Sequence, residues 1–352
     1  MTDSRAAWWW KRLLLAMVTA GATVVAGELA LRLVRFSAPV QPITIVDREG
    51  KSDPGDNRGL IPDSELQFRF NPGAEWRGRR INSMGFLGRE VESNKAPGTV
   101  RVICMGDSCT ATGNPPYSDF LHELLTGSPP TPQPWEAFNM AVHGYSTEHG
   151  LRLFRRRTRH LQPDYVTLYY GWNDHWRDDL TDRLKLARRA GPVWGRVQKL
   201  LNRSRLYQFV VSRAAVRQEP DADHYVLRVP PEEYRQNLES FIAEIRAAGA
   251  VPILLTAPRA AVLTPILVAH RQVARIEDAY RLHDEYGEIT REVARETGAP
   301  LLDLARIFEA ERQTVLFSDD GIHQNKDGRR RIAAEIYKLL VDLNATRSPE
   351  AR

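Results

Sequence analysis

The sequence predicts an α/β fold with a central parallel sheet of about five strands, covered on both faces. From residue 99 onward, short apolar runs bounded by turn residues alternate with longer segments of helical period. Strand alternating with helix implies parallel strands covered on both faces. Composition agrees with one folded core: 42% of the 352 residues are hydrophobic and 26% charged, with no repeat period or low-complexity tract. That excludes a disordered chain and a solenoid.

The N-terminus stands apart from this pattern. Leu13 to Leu31 is an apolar run preceded by Arg5, Lys11, Arg12 and the cluster Trp8, Trp9, Trp10. Nineteen residues at about 1.5 Å each span about 28 Å, close to the hydrocarbon thickness of a bilayer. Three readings compete: a signal anchor, a signal peptide cleaved near Ala20-Gly-Ala22, and a buried helix of a soluble protein. The apolar run continues past Ala22 to a boundary at Arg32 and Arg35, which favours the anchor. Glu28 is costly inside lipid, a cost that falls near a helix end. Residues 1–12 are then a cytoplasmic stub, 13–35 the anchor, and the rest extracytoplasmic, in a periplasm-like compartment.

Residues 36–98 are rich in Pro, Gly, Asn and Asp, with a strand-like piece at Leu66 to Phe70, and read as a linker and N-terminal extension. Within the main domain, 99–345, strands are predicted at Val100–Met105, Ala137–Val142, Tyr165–Tyr170, Val251–Thr256 and Pro300–Leu304. Helices are predicted at Ser118–Leu125, Thr147–His160, Pro231–Ala248, Ile276–Thr297 and Asp327–Asn344. Pro231 suits a first helical turn, and Gly249 and Gly298 suit helix ends. The stretch 176–229 breaks the rhythm and is too long for a simple connection, so it reads as a helical insertion near the site.

The formal charge of +5 and the run Arg155, Arg156, Arg157, Arg159 raise the question of nucleic acid. No helix-turn-helix, zinc or aromatic RNA-binding pattern accompanies them, and acidic residues are nearly as numerous, so a solvated basic face is expected. Cys104 and Cys109 are the only cysteines, which excludes a disulfide scaffold and a thiolate zinc site. Flanking a tight turn, they are expected as buried free thiols.

In open parallel sheets, sites form at the carboxyl ends of the strands. Those positions hold Gly106-Asp107-Ser108, His143-Gly144-Tyr145, Gly171-Trp172-Asn173-Asp174 and, near the end, Asp320-Gly321-Ile322-His323-Gln324-Asn325. A serine hydroxyl needs a base to become a nucleophile, and the base needs a partner that fixes its tautomer. Ser108, His323 and Asp320 fit those roles. The oxyanion formed on attack needs fixed donors, for which the Ser108 and Gly144 N–H groups and the Asn173 side chain are candidates.

This arrangement resembles the SGNH hydrolase superfamily, the GDSL-like esterases, whose four blocks supply Ser, Gly, Asn and His in that order. The resemblance covers roughly residues 99–344 and implies a three-layer α/β/α flavodoxin-like fold, with Asp320 completing the triad. Cys109 stands where the name-giving leucine often follows the serine, a departure at a packing position that leaves the chemistry intact. A fixed three-residue pattern arises by chance in roughly 4% of chains this long. Two in order outweigh the separate readings of Ser108 as a helix cap and of Asn173, Asp174 and Asp320-Gly321 as turn formers.

Asp107 and Asp174 are assigned to local hydrogen bonds. His143, His149 and His175 lack the spacing of a metal site. His143, Trp172 and His175 are expected to touch substrate, and Trp172, Trp176 and Trp194 form either a sugar- or acyl-binding wall or the packing of the insertion. No metal, cofactor or nucleic acid is expected. The expected activity is hydrolysis of a carboxylic ester through an acyl-enzyme, removing an acetyl or short acyl group from an envelope glycan or lipid. Its rivals are an O-acyltransferase using the same triad and a non-catalytic carbohydrate-binding scaffold.

Overall fold

The computed structural model describes residues 3–34, 36, 59–63, 65–189, 197, 200–201, 203–215, 225–269, 272–310 and 314–346. Helix α1 is Asp3–Leu33; two small antiparallel pairs follow, Leu60–Asp63 with Gln67–Phe70 and Glu75–Trp76 with Arg79–Arg80. Then come β1 (Val100–Gly106), α2 (Tyr117–Gly127), β2 (Trp135–Asn139), α3 (Thr147–Arg156), β3 (Tyr165–Tyr169), α4 (Arg205–Ala215) and α5 (Pro231–Ala247). The last elements are β4 (Val251–Leu255), α6 (Ile276–Thr297), β5 (Leu301–Leu302) and α7 (Lys326–Ala345).

The five strands form one parallel sheet in the order β5-β4-β3-β1-β2, as the alternating pattern predicts. Being covered on both faces, β3 is buried at every position, which is why it reads as an unbroken apolar run. Alternate residues serve opposite layers. Val102 and Cys104 of β1, Tyr165 and Tyr169 of β3 and Ile253 and Leu255 of β4 share a core with Leu121 and Leu125 of α2 and Ile332, Ile336 and Leu340 of α7. On the other face α5 packs against both α3 and α6. Gly298 ends α6 in a left-handed conformation (φ 63°), the geometry that favours glycine at that position.

The chain divides into two compact units: residues 1–40 with 190–219, and residues 41–189 with 220–352. In the first, α1 is longer than the 13–35 segment predicted. From Trp8 to Leu33 it is long and apolar enough to cross a membrane, and none of that stretch is buried. Glu28 meets Arg32 at 2.7 Å, and its other oxygen accepts from the Ser204 hydroxyl (2.8 Å) and the Leu206 N–H (2.9 Å), capping the first turn of α4. The middle of the predicted insertion thus belongs with the N-terminal helix.

In the second unit, residues 59–98 join the main core: Phe68, Phe70, Ile81 and Phe86 are all buried. The linker residues 37–58 lie outside the described residues. Arg155, Arg156 and Arg159 of the arginine run are exposed, as expected of a solvated face, with Arg155 on Glu244 at 2.6 Å and Arg156 on Glu65, while the half-buried Arg157 donates to the Met84 carbonyl at 2.7 Å. Because Leu168 sits in the central strand at 1% exposure, Leu168→Ala is expected to lower the unfolding free energy by about 2–5 kcal/mol in urea unfolding followed by tryptophan fluorescence. Wild-type stability would contradict burial of β3 on both faces.

Candidate active site

The turn after β1 is built by Asp107, whose side chain accepts from the Cys109 N–H at 2.8 Å and caps the single helical turn Ser108–Ala111. This presents Ser108 at the carboxyl end of the strand. The loop before α7 brings the base. Asp320 Oδ1 accepts the Ile322 and His323 N–H bonds at 2.9 Å each, and Asn325 caps α7 by accepting from the Asp327 and Gly328 N–H groups. Gly321 (φ 73°) is required here, since a Cβ would come within 2.4 Å of the Val262 carbonyl oxygen.

These two turns meet. His323 Nε2 lies 2.8 Å from Ser108 Oγ, and His323 Nδ1 lies 2.6 Å from Asp320 Oδ2. Burial alone would raise the Asp320 carboxyl, but the His323 ring and the two backbone N–H groups outweigh it and hold it below its usual range. The arrangement can take a proton from the serine hydroxyl and stabilise the resulting imidazolium.

Gly144 follows β2 with φ 83°, and its carbonyl accepts from Arg228 Nη2 at 2.9 Å. Asn173 is 7% exposed; its Oδ1 lies 3.5 Å from Arg228 Nη1, and its Nδ2 has no hydrogen-bond partner among the described residues. Asp174 ties the turn after β3 to α3, accepting from the Thr147 N–H (2.8 Å) and hydroxyl (2.5 Å) and from the Gly171 N–H (3.1 Å). Burial pushes its carboxyl up to about 7 despite those bonds.

Trp172 and His175, expected against substrate, are each 1% exposed and face the core. Trp172 stacks on the His283 ring at 3.8 Å, and His175 Nε2 lies 3.3 Å from His283 Nδ1. The turn that sets Asn173 against Arg228 folds its neighbours inward. Trp176 is likewise buried, and Trp194 lies outside the described residues. His143 is 7% exposed with its ring 5.2 Å from Trp76. Burial, aided by the charges of Arg77 and His323, keeps it well below the usual histidine range and hence neutral.

A cleft of about 330 Å³ opens beside the serine–histidine pair, lined by Trp76, Arg77, Leu87, Asn114, Asp320 and His323 among others. Trp76, Arg77 and Leu87 come from the N-terminal extension, where no motif or period marks them. A larger surface depression of about 970 Å³ runs past Arg159, Asp164 and Gly249, at the opposite ends of the strands. No nucleophile–base pair lines it, whereas His323 and Asp320 line the smaller cleft, which is therefore the candidate site. Cys104 and Cys109 are buried free thiols, and burial pushes Cys104 up to about 12 and Cys109 well above its usual range, so neither supplies a thiolate.

The sequence pattern of the GDSL-like lipase/acylhydrolase family matches residues 104–331, well over half the chain. The chain belongs to this family. The SGNH resemblance is thereby borne out, and GDSL-like membership makes the protein an ester-hydrolysing enzyme. Similar solved structures include the lipase/acylhydrolase from Enterococcus faecalis, 18% identical over 69% of this chain and 96% of that one, with a TM-score of 0.46. The acetylxylan esterase Axe2 from Geobacillus stearothermophilus is 17% identical over 68% of this chain and 93% of that one, at 0.45. LAE5, an alpha/beta hydrolase enzyme from the metagenome of Lake Arreo, is 20% identical over 68% and 94%, at 0.44. At such identities and scores these likenesses carry no inference about substrate. No curated protein matches the chain significantly.

Burial raises the Asp107 carboxyl from 3.8 to about 6, against the Cys109 N–H bond, the His323 charge and the neighbouring Asn173. A carboxyl raised on folding costs stability as pH rises from its unfolded to its folded value. Between pH 4 and 7 the wild type is therefore expected to lose on the order of 2–3 kcal/mol from this group. Asp107→Asn is expected to remove that slope when unfolding free energies are measured across the range; parallel pH profiles would refute it.

Proposed function

We propose that the protein is a membrane-tethered serine esterase that removes an acetyl or short acyl group from an envelope glycan or lipid. The observation that carries this is the continuous chain Ser108–His323–Asp320, with separations of 2.8 and 2.6 Å. His323 takes the Ser108 proton as Oγ attacks the ester carbonyl. The Ser108 and Gly144 N–H groups and Asn173 Nδ2 receive the oxyanion. His323 then protonates the departing alcohol, leaving an acyl-enzyme, and activates the water that releases the acid.

A cleft of about 330 Å³ sits at the small end of ligand pockets, which favours a short acyl group over a long chain. The tether is supported by α1, whose apolar residues from Trp8 to Leu33 are left uncovered and would be costly to hold in water. Glu28, the expense in that helix, is satisfied by Arg32 and α4.

A fluorophosphonate probe is expected to label the wild type, and Ser108→Ala or His323→Ala to abolish labelling together with hydrolysis of p-nitrophenyl acetate. Asn173→Ala should lower kcat by roughly two to three orders of magnitude with the fold intact. A folded wild type that is neither labelled nor active would instead support a binding scaffold, and transfer to a glycan hydroxyl in excess water would make it an acyltransferase. For topology, a periplasm-active reporter fused after Phe36 is expected to be active; activity only of a cytoplasmic reporter would reverse the orientation.

A further inference from the structure

Behind the Gly144 and Asn173 loops lies a buried ion pair that motif reading does not reach. Arg228 is 6% exposed and Asp182 1%. Arg228 Nη2 donates to Asp182 Oδ2 at 2.8 Å and Nε reaches both carboxylate oxygens at 3.0 and 3.2 Å. The backbone locks the same contact, with Asp182 N–H on the Arg228 carbonyl at 2.7 Å and Arg228 N–H on the Trp176 carbonyl at 2.8 Å. His149 Nδ1 stands 3.5 Å from the same Asp182 Oδ2 and 3.0 Å from Ser146 Oγ. Burial opposes both charges, yet each partner's field outweighs it: Asp182 is held below and Arg228 above its ordinary value.

Stability does not call for this arrangement, because a buried ion pair is often matched or bettered by apolar residues of similar volume. What distinguishes Arg228 is where its remaining N–H groups go. Nη2 also holds the Gly144 carbonyl at 2.9 Å, and Nη1 faces Asn173 Oδ1 at 3.5 Å. A guanidinium only donates, so it fixes the Asn173 amide with oxygen toward Arg228 and Nδ2 away from it. That Nδ2 is buried and makes no hydrogen bond among the described residues, and it lies beside the Asp107 carboxyl, which it helps to lower.

We propose that Arg228, held by Asp182, is the positioning residue of the oxyanion hole: it sets the orientation of the Asn173 amide and pins the Gly144 loop from behind. This rests on the esterase reading above. Arg228 touches no reacting atom; it acts through Asn173 and Gly144, and its fixed positive charge adds to the potential that a developing oxyanion meets. Lysine cannot replace it, since one ammonium lacks the planar fork that meets the carboxylate, the carbonyl and the amide together.

The test is a cycle in the full-length protein with p-nitrophenyl acetate as probe. Arg228→Lys is expected to lower kcat about tenfold, and the charge-free pair Arg228→Met with Asp182→Leu about 10- to 100-fold, with KM changed less than threefold and fluorophosphonate labelling slowed in parallel. In the Asn173→Ala background the same substitutions should cost at least threefold less than in the wild type, because one of the two groups they hold is gone and only the Gly144 contact and the charge remain. A merely structural role predicts equal losses in both backgrounds, and that result would overturn the proposal. So would wild-type kcat in Arg228→Lys, which avoids the risk that the charge-free pair fails to fold. An unlabelled, inactive wild type would overturn the esterase reading and this one together, whereas an active wild type with unaffected variants would overturn this one alone.

Discussion

Everything at the site depends on the chirality of the crossovers in a parallel sheet. With strand order β5-β4-β3-β1-β2, the chain moves outward from β1 to β2 and then returns across β1 to β3. Right-handed connections therefore send α2 to one face and α3, α5 and α6 to the other. The loops leaving β1 and β3 diverge, and a crevice opens between adjacent strands at their carboxyl ends. Ser108 and Asn173 stand on the two sides of it. α7, packed beside α2, starts from the loop that delivers His323.

A second theme is charge kept out of water. Asp107, Asp174, Asp182 and Arg228 are all buried, the first two inside the blocks that carry the chemistry and the last two behind them. They solve the cost differently. Asp107 and Asp174 shift upward toward the protonated form, whereas Asp182 and Arg228 stay ionised by meeting each other. The first pair shapes turns; the second keeps a permanent charge behind two loops.

Much of this was legible in the sequence because burial on both faces writes itself as apolar runs. All five strands and the five principal helices of the second unit fall where the pattern puts them. The differences have local causes. Met140 to Val142 read as strand because they are buried, but beyond the Met140 N–H bond to the Cys104 carbonyl (2.9 Å) Ala141 and Val142 carry the chain to Gly144 outside the strand register. β5 stops at Leu302 because Asp303 turns to bond Thr256 and Arg291, and Leu304 opens a short helix. Trp172 and His175 were misread because sequence gives their distance from Asn173 but not the side of the turn they face. Trp76 and Arg228 were missed for the opposite reason: they arrive from stretches without period or motif, and only tertiary packing brings them near Ser108 and Asn173.

The chain visits its N-terminal unit twice, first as α1 and again as residues 190–219, with α4 seated on Glu28. A protease cutting once between residues 41 and 58 would sever the covalent path from α1, yet α4 would still hold the cut chain to it through hydrogen bonds. Separating the rest of the chain from α1 therefore takes two events, a cut and the undocking of a helix. Release becomes a reversible equilibrium after nicking rather than an immediate consequence of it.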